Sequence, residues 1–175
     1  VQHSVELHFS EAERARLFEF LRDIEGPWQQ KFNPHISFAV IRDEADPEVL
    51  REIVRKLAAG IEPIEIQLSS VGLFPGKRPI VFWTPAANES LLRGHQLLLE
   101  NLENSQIQPI RHYRAGSWTP HLTLSMGRPW AETGEALKAL LRTDFPGSYQ
   151  LDFVDLIEFH PAKRLERHDL QGHDR

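Results

Sequence analysis

Val5, Leu7 and Phe9 alternate with polar neighbours, the period-two pattern of a half-buried strand. Ser10-Glu11-Ala12-Glu13 has the spacing of a helix-capping box, and Leu17, Phe18, Leu21 and Ile24 follow at helical intervals until Gly26-Pro27 breaks the run near Glu25. The stretch from His35 to Ile41 reads as a second strand. Asp46-Pro47 opens a helix with proline at a tolerated early position; Val49, Ile53, Val54 and Leu57 give it an apolar face and Gly60 ends it. Ile64, Ile66 and Leu68 alternate with Glu65 and Gln67 as a strand leading into the Gly72-Leu73-Phe74-Pro75-Gly76 turn, and Ile80 to Trp83 returns as its hairpin partner.

A third helix is predicted from about Asn88 to Leu102, then a strand through His121, a helix from about Ala131 to Leu141, an alternating strand with Tyr149, Leu151 and Phe153, and a short last strand near Leu165 to Leu170. The order of elements repeats. Asn33-Pro34-His35-Ile36-Ser37-Phe38 returns as Thr119-Pro120-His121-Leu122-Thr123-Leu124, 121 − 35 = 86 residues later, and the alternating strand of Ile64 returns at Tyr149, 149 − 64 = 85 residues later. Two nearly equal offsets point to a duplication. The expectation is one domain over residues 1–175 built from two similar halves, with the exchange point near 85–88.

Composition narrows the function. At 175 residues and 41% hydrophobic, the chain can bury one sizeable core. With no cysteine it has neither disulfides nor thiolate nucleophiles nor Cys-ligated zinc. No apolar run nears the roughly 20 residues of a membrane helix, and no signal-peptide layout is evident, so a cytoplasmic protein without membrane contact is expected. A net charge of −5 argues against a broad grip on long nucleic acid. A small or end-bound anion remains a suitable ligand, and local basic groups occur at Lys77-Arg78 and Arg111-His112-Tyr113-Arg114.

On a strand, His35 shares a face with Ser37, and His121 with Thr123, while Ile36, Phe38, Leu122 and Leu124 turn to a core. Each strand thus offers an imidazole beside a hydroxyl. A pseudo-twofold arrangement would gather both pairs around one cleft. His8-Phe9-Ser10 has the same spacing, but its serine is better used as a helix cap. His3, His8, His95, His112, His160, His168 and His173 share no ligand spacing and are read as structural, the last two in a charged, solvated tail from Lys163 to Arg175.

The paired Pro-His35-Ile-Ser37-Phe and Pro-His121-Leu-Thr123-Leu phrases, with the Val71-Gly-Leu-Phe-Pro-Gly76 turn and the Ile80-Val-Phe-Trp83 strand, resemble the two-histidine (2H) phosphoesterase superfamily over nearly the whole chain. That group includes RNA 2',3'-cyclic phosphodiesterases, also called 2'-5' RNA ligases. The resemblance implies a bilobal α+β fold, two antiparallel sheets flanked by helices with a central cleft between pseudo-symmetric lobes. It implies His35 and His121 as catalytic residues and Ser37 and Thr123 as phosphate-binding residues. Opening a cyclic phosphodiester needs a base for water and an acid for the leaving ribose oxygen, and imidazole serves as either near neutral pH. Which histidine does which is left open by the sequence.

The implied reaction needs no cofactor and no metal, and the chain has neither His-Glu-x-x-His nor His-x-His. The implied substrate is a small nucleotide or an RNA 3' end carrying a cyclic phosphate, handled by a monomer. Phe74, Tyr113 and Trp118 are candidates to stack a base, and Arg114 and Arg128 to meet a phosphate. RNA-ligase-like relatives often carry a basic residue soon after the second motif, where this chain has Ser125-Met126-Gly127 before Arg128. Two other readings fit the same residues. One is a nucleotide- or RNA-binding module with negligible turnover; the other makes the repeated phrases plain core strands.

Overall fold

β1 (Gln2–Phe9) is buried along almost its whole length and is paired on both edges, with β2 (His35–Ile41) and with β6 (Ser148–Phe159). The computed structural model describes residues 2–26, 28, 34–42, 45–159 and 161–171; Pro27, Asn33, His160 and His173 of the sequence reading lie outside them. After β1 come α1 (Glu11–Arg22), β2, α2 (Pro47–Gly60), β3 (Ile64–Phe74), β4 (Ile80–Pro85), α3 (Glu89–Asn104), β5 (Leu122–Ser125), α4 (Trp130–Leu140), β6 and β7 (Lys163–Asp169). A short 3₁₀ turn at Arg111–Tyr113 precedes β5.

The α+β class is as expected, but the two expected sheets are joined into one antiparallel ladder. Its order is β1-β2-β5-β4-β3-β6-β7, and the additional β1–β6 pairing brings its ends together. β1 lies between β2 and β6, as β4 lies between β5 and β3. Two narrow seams join these groups. Ile36 of β2 faces Leu122 of β5, and β3 meets β6 across Ile64↔Leu151, Glu65↔Gln150 and Ile66↔Tyr149.

Local chemistry explains most element ends. Ser10 caps α1 by accepting from the Glu13 N–H, yet the box is only half formed: the Ser10 N–H donates to Asp152 at 3.2 Å while Glu13 pairs with Arg16 at 2.7 Å. α1 ends at Arg22, ahead of the expected Glu25, with Asp23 as its cap. Asp46 caps α2. The apolar face of α2 is Leu50, Ile53, Val54, Leu57 and Ala58, and Val49, expected on that face, is exposed. Those five follow the i, i+3, i+4, i+7, i+8 stripe, which position 49 breaks. α2 packs on α3 closely enough that a Cβ at Gly60 would lie 2.7 Å from Leu97.

β3 runs on to Phe74, through residues expected to turn, because Gly72 to Phe74 pair with Ile80 to Phe82. The strand expected near Leu165 to Leu170 is β7, which starts at Lys163 and so takes up most of the segment also expected to be a solvated tail. Lys163 to Asp169 pairs with β6, and Arg167 forks onto the buried Asp155 at 2.7 Å through both Nε and Nη2. Among the described residues no helix is long and apolar enough to cross a membrane.

Candidate active site

The two His-x-hydroxyl phrases alternate as their pattern requires. Ile36, Phe38, Leu122 and Leu124 are buried, whereas His35, Ser37, His121 and Thr123 are half-buried on the other face. Because β2 and β5 are antiparallel about the Ile36↔Leu122 pair, His35 runs toward Thr123 and Ser37 toward His121. The four side chains line one cavity of about 290 Å³, with Glu6 and Tyr113 also in its wall.

The two imidazoles have different surroundings. His121 Nδ1 lies 2.7 Å from the Thr119 carbonyl, so Nδ1 carries a proton and donates it. In the neutral ring that leaves Nε2 with a lone pair. Phe74 stands edge-on to this ring at 4.9 Å and Phe82 lies at 5.2 Å. Burial pushes the His121 imidazole below its ordinary value, the Thr119 carbonyl pulls it back up, and the positive charge of His35 lowers it further.

His35 instead faces a carboxylate. Its Nε2 lies 3.6 Å from Oε1 of Glu6, which is only 4% exposed. Ser4 donates its hydroxyl to Glu6, and His8 Nε2 meets the other Glu6 oxygen at 3.1 Å. His8 also reaches Asp155 at 3.5 Å, and its ring lies 5.3 Å from that of His35. Burial pushes the Glu6 carboxyl up, but the positive charge on His35 and the hydrogen bonds from His8 and Ser4 outweigh it, so Glu6 sits below the usual carboxylate range and is ionised. An ionic chain thus runs Arg167, Asp155, His8, Glu6, His35.

Among the described residues, Glu6, His8 and His35 offer ligand atoms within 4.8 Å of one another. Both Glu6 oxygens already accept hydrogen bonds from Ser4 and His8, so a cation there would displace established partners.

Among the other sequence candidates, Tyr113 shares a hydrogen bond with Ser37. Burial raises its phenol above the ordinary value, the Ser37 bond lowers it, and the Glu6 charge raises it. Phe74 lies at the site but packs on Phe82 at 4.3 Å as well as on His121. Trp118 is held elsewhere. Its Nε1–H donates to the Ser37 carbonyl at 3.0 Å, and its ring stacks on buried His95 at 3.9 Å and meets Phe38 edge-on. Arg114 donates to the Pro109 carbonyl at 3.1 Å. Arg128 follows Gly127, whose φ of +76° turns the chain, and pairs with Glu132 at 3.5 Å on α4.

Sequence reasoning passed over Glu6, His8 and Asp155. A signal was present: Ser4, Glu6 and His8 form one polar face of a strand whose other face is Val5, Leu7 and Phe9. The fold buries that polar face too, with Ser4 0%, Glu6 4% and His8 2% exposed.

The family model for the 2'-5' RNA ligase superfamily matches residues 6–162. This chain belongs to that superfamily. No curated protein sequence matches it. Among solved structures, E. coli LigT complexed with 3'-AMP is 16% identical, with a TM-score of 0.65 over 97% of this chain and 96% of that one. TT0787 of Thermus thermophilus is 19% identical, with a TM-score of 0.65 over 98% and 99%. Usb1 of Kluyveromyces marxianus is 10% identical, with a TM-score of 0.52 over 94% and 97%. At these identities the likeness shows that the superfamily's fold is shared. LigT has also been seen complexed with ATP and with NADP+.

Proposed function

We propose that this member of the superfamily is a metal-independent phosphodiesterase. It hydrolyses a 2',3'-cyclic phosphate on RNA or a small nucleotide, and reverse 2'-5' ligation is open to the same groups. The carrying observation is the Ile36↔Leu122 pair, which gathers two imidazoles and two hydroxyls at one cavity from halves of the chain 86 residues apart (122 − 36 = 86).

In this reading one imidazole takes a proton from water as its oxygen attacks phosphorus. The P–O bond to one ribose oxygen breaks, and the other imidazole gives that oxygen a proton. Ser37 and Thr123 donate hydrogen bonds to the non-bridging oxygens, where charge builds in the transition state. Tyr113, bonded to Ser37, fixes that hydroxyl. Phe74 beside His121 is a surface for a base. Arg114, Arg128 and Trp118 make their contacts elsewhere, so substrate contact is assigned to Phe74, with Tyr113 acting through Ser37.

The pairing also supports reading the chain as one domain of two halves, β1 to β3 and β4 to β6, with the change-over in the β3–β4 turn, ahead of 85–88. β4 stands to β5 and β3 as β1 stands to β2 and β6.

The test is turnover of cyclic nucleotides and of RNA with a cyclic-phosphate end, in EDTA, by wild type, His35→Ala and His121→Ala. Turnover lost in both variants supports the enzyme. Tight binding without turnover in wild type supports a binding module instead.

A further inference from the structure

The pseudo-twofold arrangement that makes the two motifs alike fails at one position beside them. On β1, Glu6 pairs with Ser37 and Leu7 with Ile36; on β4, Phe82 pairs with Thr123 and Trp83 with Leu122. Glu6 and Phe82 are therefore equivalent, each on the strand next to a motif and opposite its hydroxyl residue. One half places a buried carboxylate by its histidine, the other an apolar ring.

We propose that this Glu6/Phe82 difference divides the catalytic labour. Glu6, backed by Ser4, His8 and Asp155, is the positioning residue that keeps the proton on His35, making it the acid, while His121 beside Phe82 is the base. The inference rests on the phosphodiesterase reading.

Three observations carry it. Glu6 is only 4% exposed and is held by Ser4 and His8, so it is a fixed negative charge that solvent screens little, 3.6 Å from the His35 ring nitrogen. His121 Nδ1–H is tied to the Thr119 carbonyl, which aims its basic Nε2 elsewhere, and its neighbours Phe74 and Phe82 offer no counter-charge. The carboxylate is itself braced, since His8 links it to Asp155, which Arg167 holds through two bonds and Arg164 approaches at 3.8 Å.

Among the described residues, the charged and titratable groups around His35 include Glu6 and His8 from β1, Tyr113 from the 3₁₀ turn and His121 from the approach to β5, with Asp155 of β6 and Arg167 of β7 behind His8. Tyr113 is neutral near pH 7 because its phenol is raised. Of these groups next to the ring, Glu6 is the one that supplies negative charge.

The test is the pH dependence of kcat/KM for a cyclic nucleotide in wild type, Glu6→Gln and Glu6→Asp. Removing a carboxylate destabilises the protonated imidazole, so the alkaline limb, which reports the acid, should move down by about one pH unit or more in Glu6→Gln. Above that limb the rate should fall about tenfold or more, the acid-side limb should stay, and Glu6→Asp should recover part of the loss. A folded Glu6→Gln with an unmoved alkaline limb overturns the proposal, as does a shift of the acid limb.

A second measurement needs no turnover. Ring-proton NMR should show His35 keeping its proton to higher pH than His121 in wild-type protein, with that difference narrowing in Glu6→Gln; the opposite order, or a difference unchanged in Glu6→Gln, overturns the proposal. If no cyclic phosphate is turned over, the functional reading fails while this comparison still decides the Glu6 assignment.

Discussion

Ile36 and Leu122 sit directly opposite each other where β2 meets β5, and each is the central residue of a His-x-hydroxyl phrase. The pair is buried, with Ile36 0% and Leu122 1% exposed, and the seam it closes is narrow. Leu122→Ala should therefore cost about 2–5 kcal/mol of stability by urea unfolding, through lost burial and the cavity left behind. Activity should drop by more than the unfolded fraction accounts for, since the same side chain sets the spacing of the two imidazoles. A folded variant with full kcat would contradict this.

The two hydroxyls should matter less than the imidazoles. Thr123→Val and Ser37→Ala each remove one donor to the phosphoryl group, and about 10²- to 10³-fold in kcat is an upper bound set by fixed oxyanion donors. Tyr113→Phe removes only a partner of Ser37 and should cost about tenfold or less, in line with one net hydrogen bond. Steady-state kinetics on the same cyclic nucleotide ranks all three. Tyr113→Phe outranking Ser37→Ala would place the tyrosine hydroxyl on the substrate.

Stability should fall as the solution is acidified below neutrality. Burial pushes both His95 and His121 below their ordinary value of 6.5, against backbone hydrogen bonds that pull them up. The unfolded chain then binds more protons than the folded one as pH drops through about 6.5, so folding loses free energy from there downward until the folded-state values are passed. Glu6 acts in the same direction at lower pH. Its folded carboxyl is held down, so its contribution is present above its ordinary value of 4.5 and lost as pH falls below it. Urea midpoints from pH 8 to pH 4 should decline in those two windows, and a flat profile from pH 7 to pH 5 would contradict the histidine part.

Asp155 is 1% exposed and holds Arg167 through two bonds, but the Arg167 side chain is 30% exposed and water takes up part of the lost pairing, so Asp155→Asn should destabilise by about 1.5–3 kcal/mol. Asp155→Leu paired with Arg167→Met should recover much of that, because the desolvation of both charges disappears. Thermal melts of the single and double variants decide between this and a purely exposed ion pair, for which all changes would be small.

Much of this was legible in the residues. The two offsets of 86 and 85 residues proved to mark the seams themselves: 122 − 36 = 86 is the β2–β5 pair, and 150 − 65 = 85 is the Glu65↔Gln150 pair of β3 and β6. In a twofold arrangement the residue on the axis faces its own counterpart, so a repeat offset names the contact. Alternation likewise placed both histidines on the face away from the core. What the sequence could not show was the burial of charge. Glu6, His8 and Asp155 look like the exposed side of amphipathic strands in sequence but are buried in the fold, and the Arg167 pair with Asp155 needs β7 set beside β6. Nearness in sequence also does not show that the Trp118 ring stacks on His95 of α3.

The central claim is geometric, that both imidazoles and both hydroxyls act on one phosphorus. A crystal structure with a nucleoside 2',3'-cyclic vanadate, which mimics the five-coordinate transition state, tests it most directly. The account predicts vanadium in the cavity between β2 and β5, imidazole nitrogens of His35 and His121 on opposite sides within hydrogen-bond reach of its apical oxygens, and the Ser37 and Thr123 hydroxyls on the equatorial ones. Vanadate bound away from this cavity, or touched by only one of the two histidines, would contradict it.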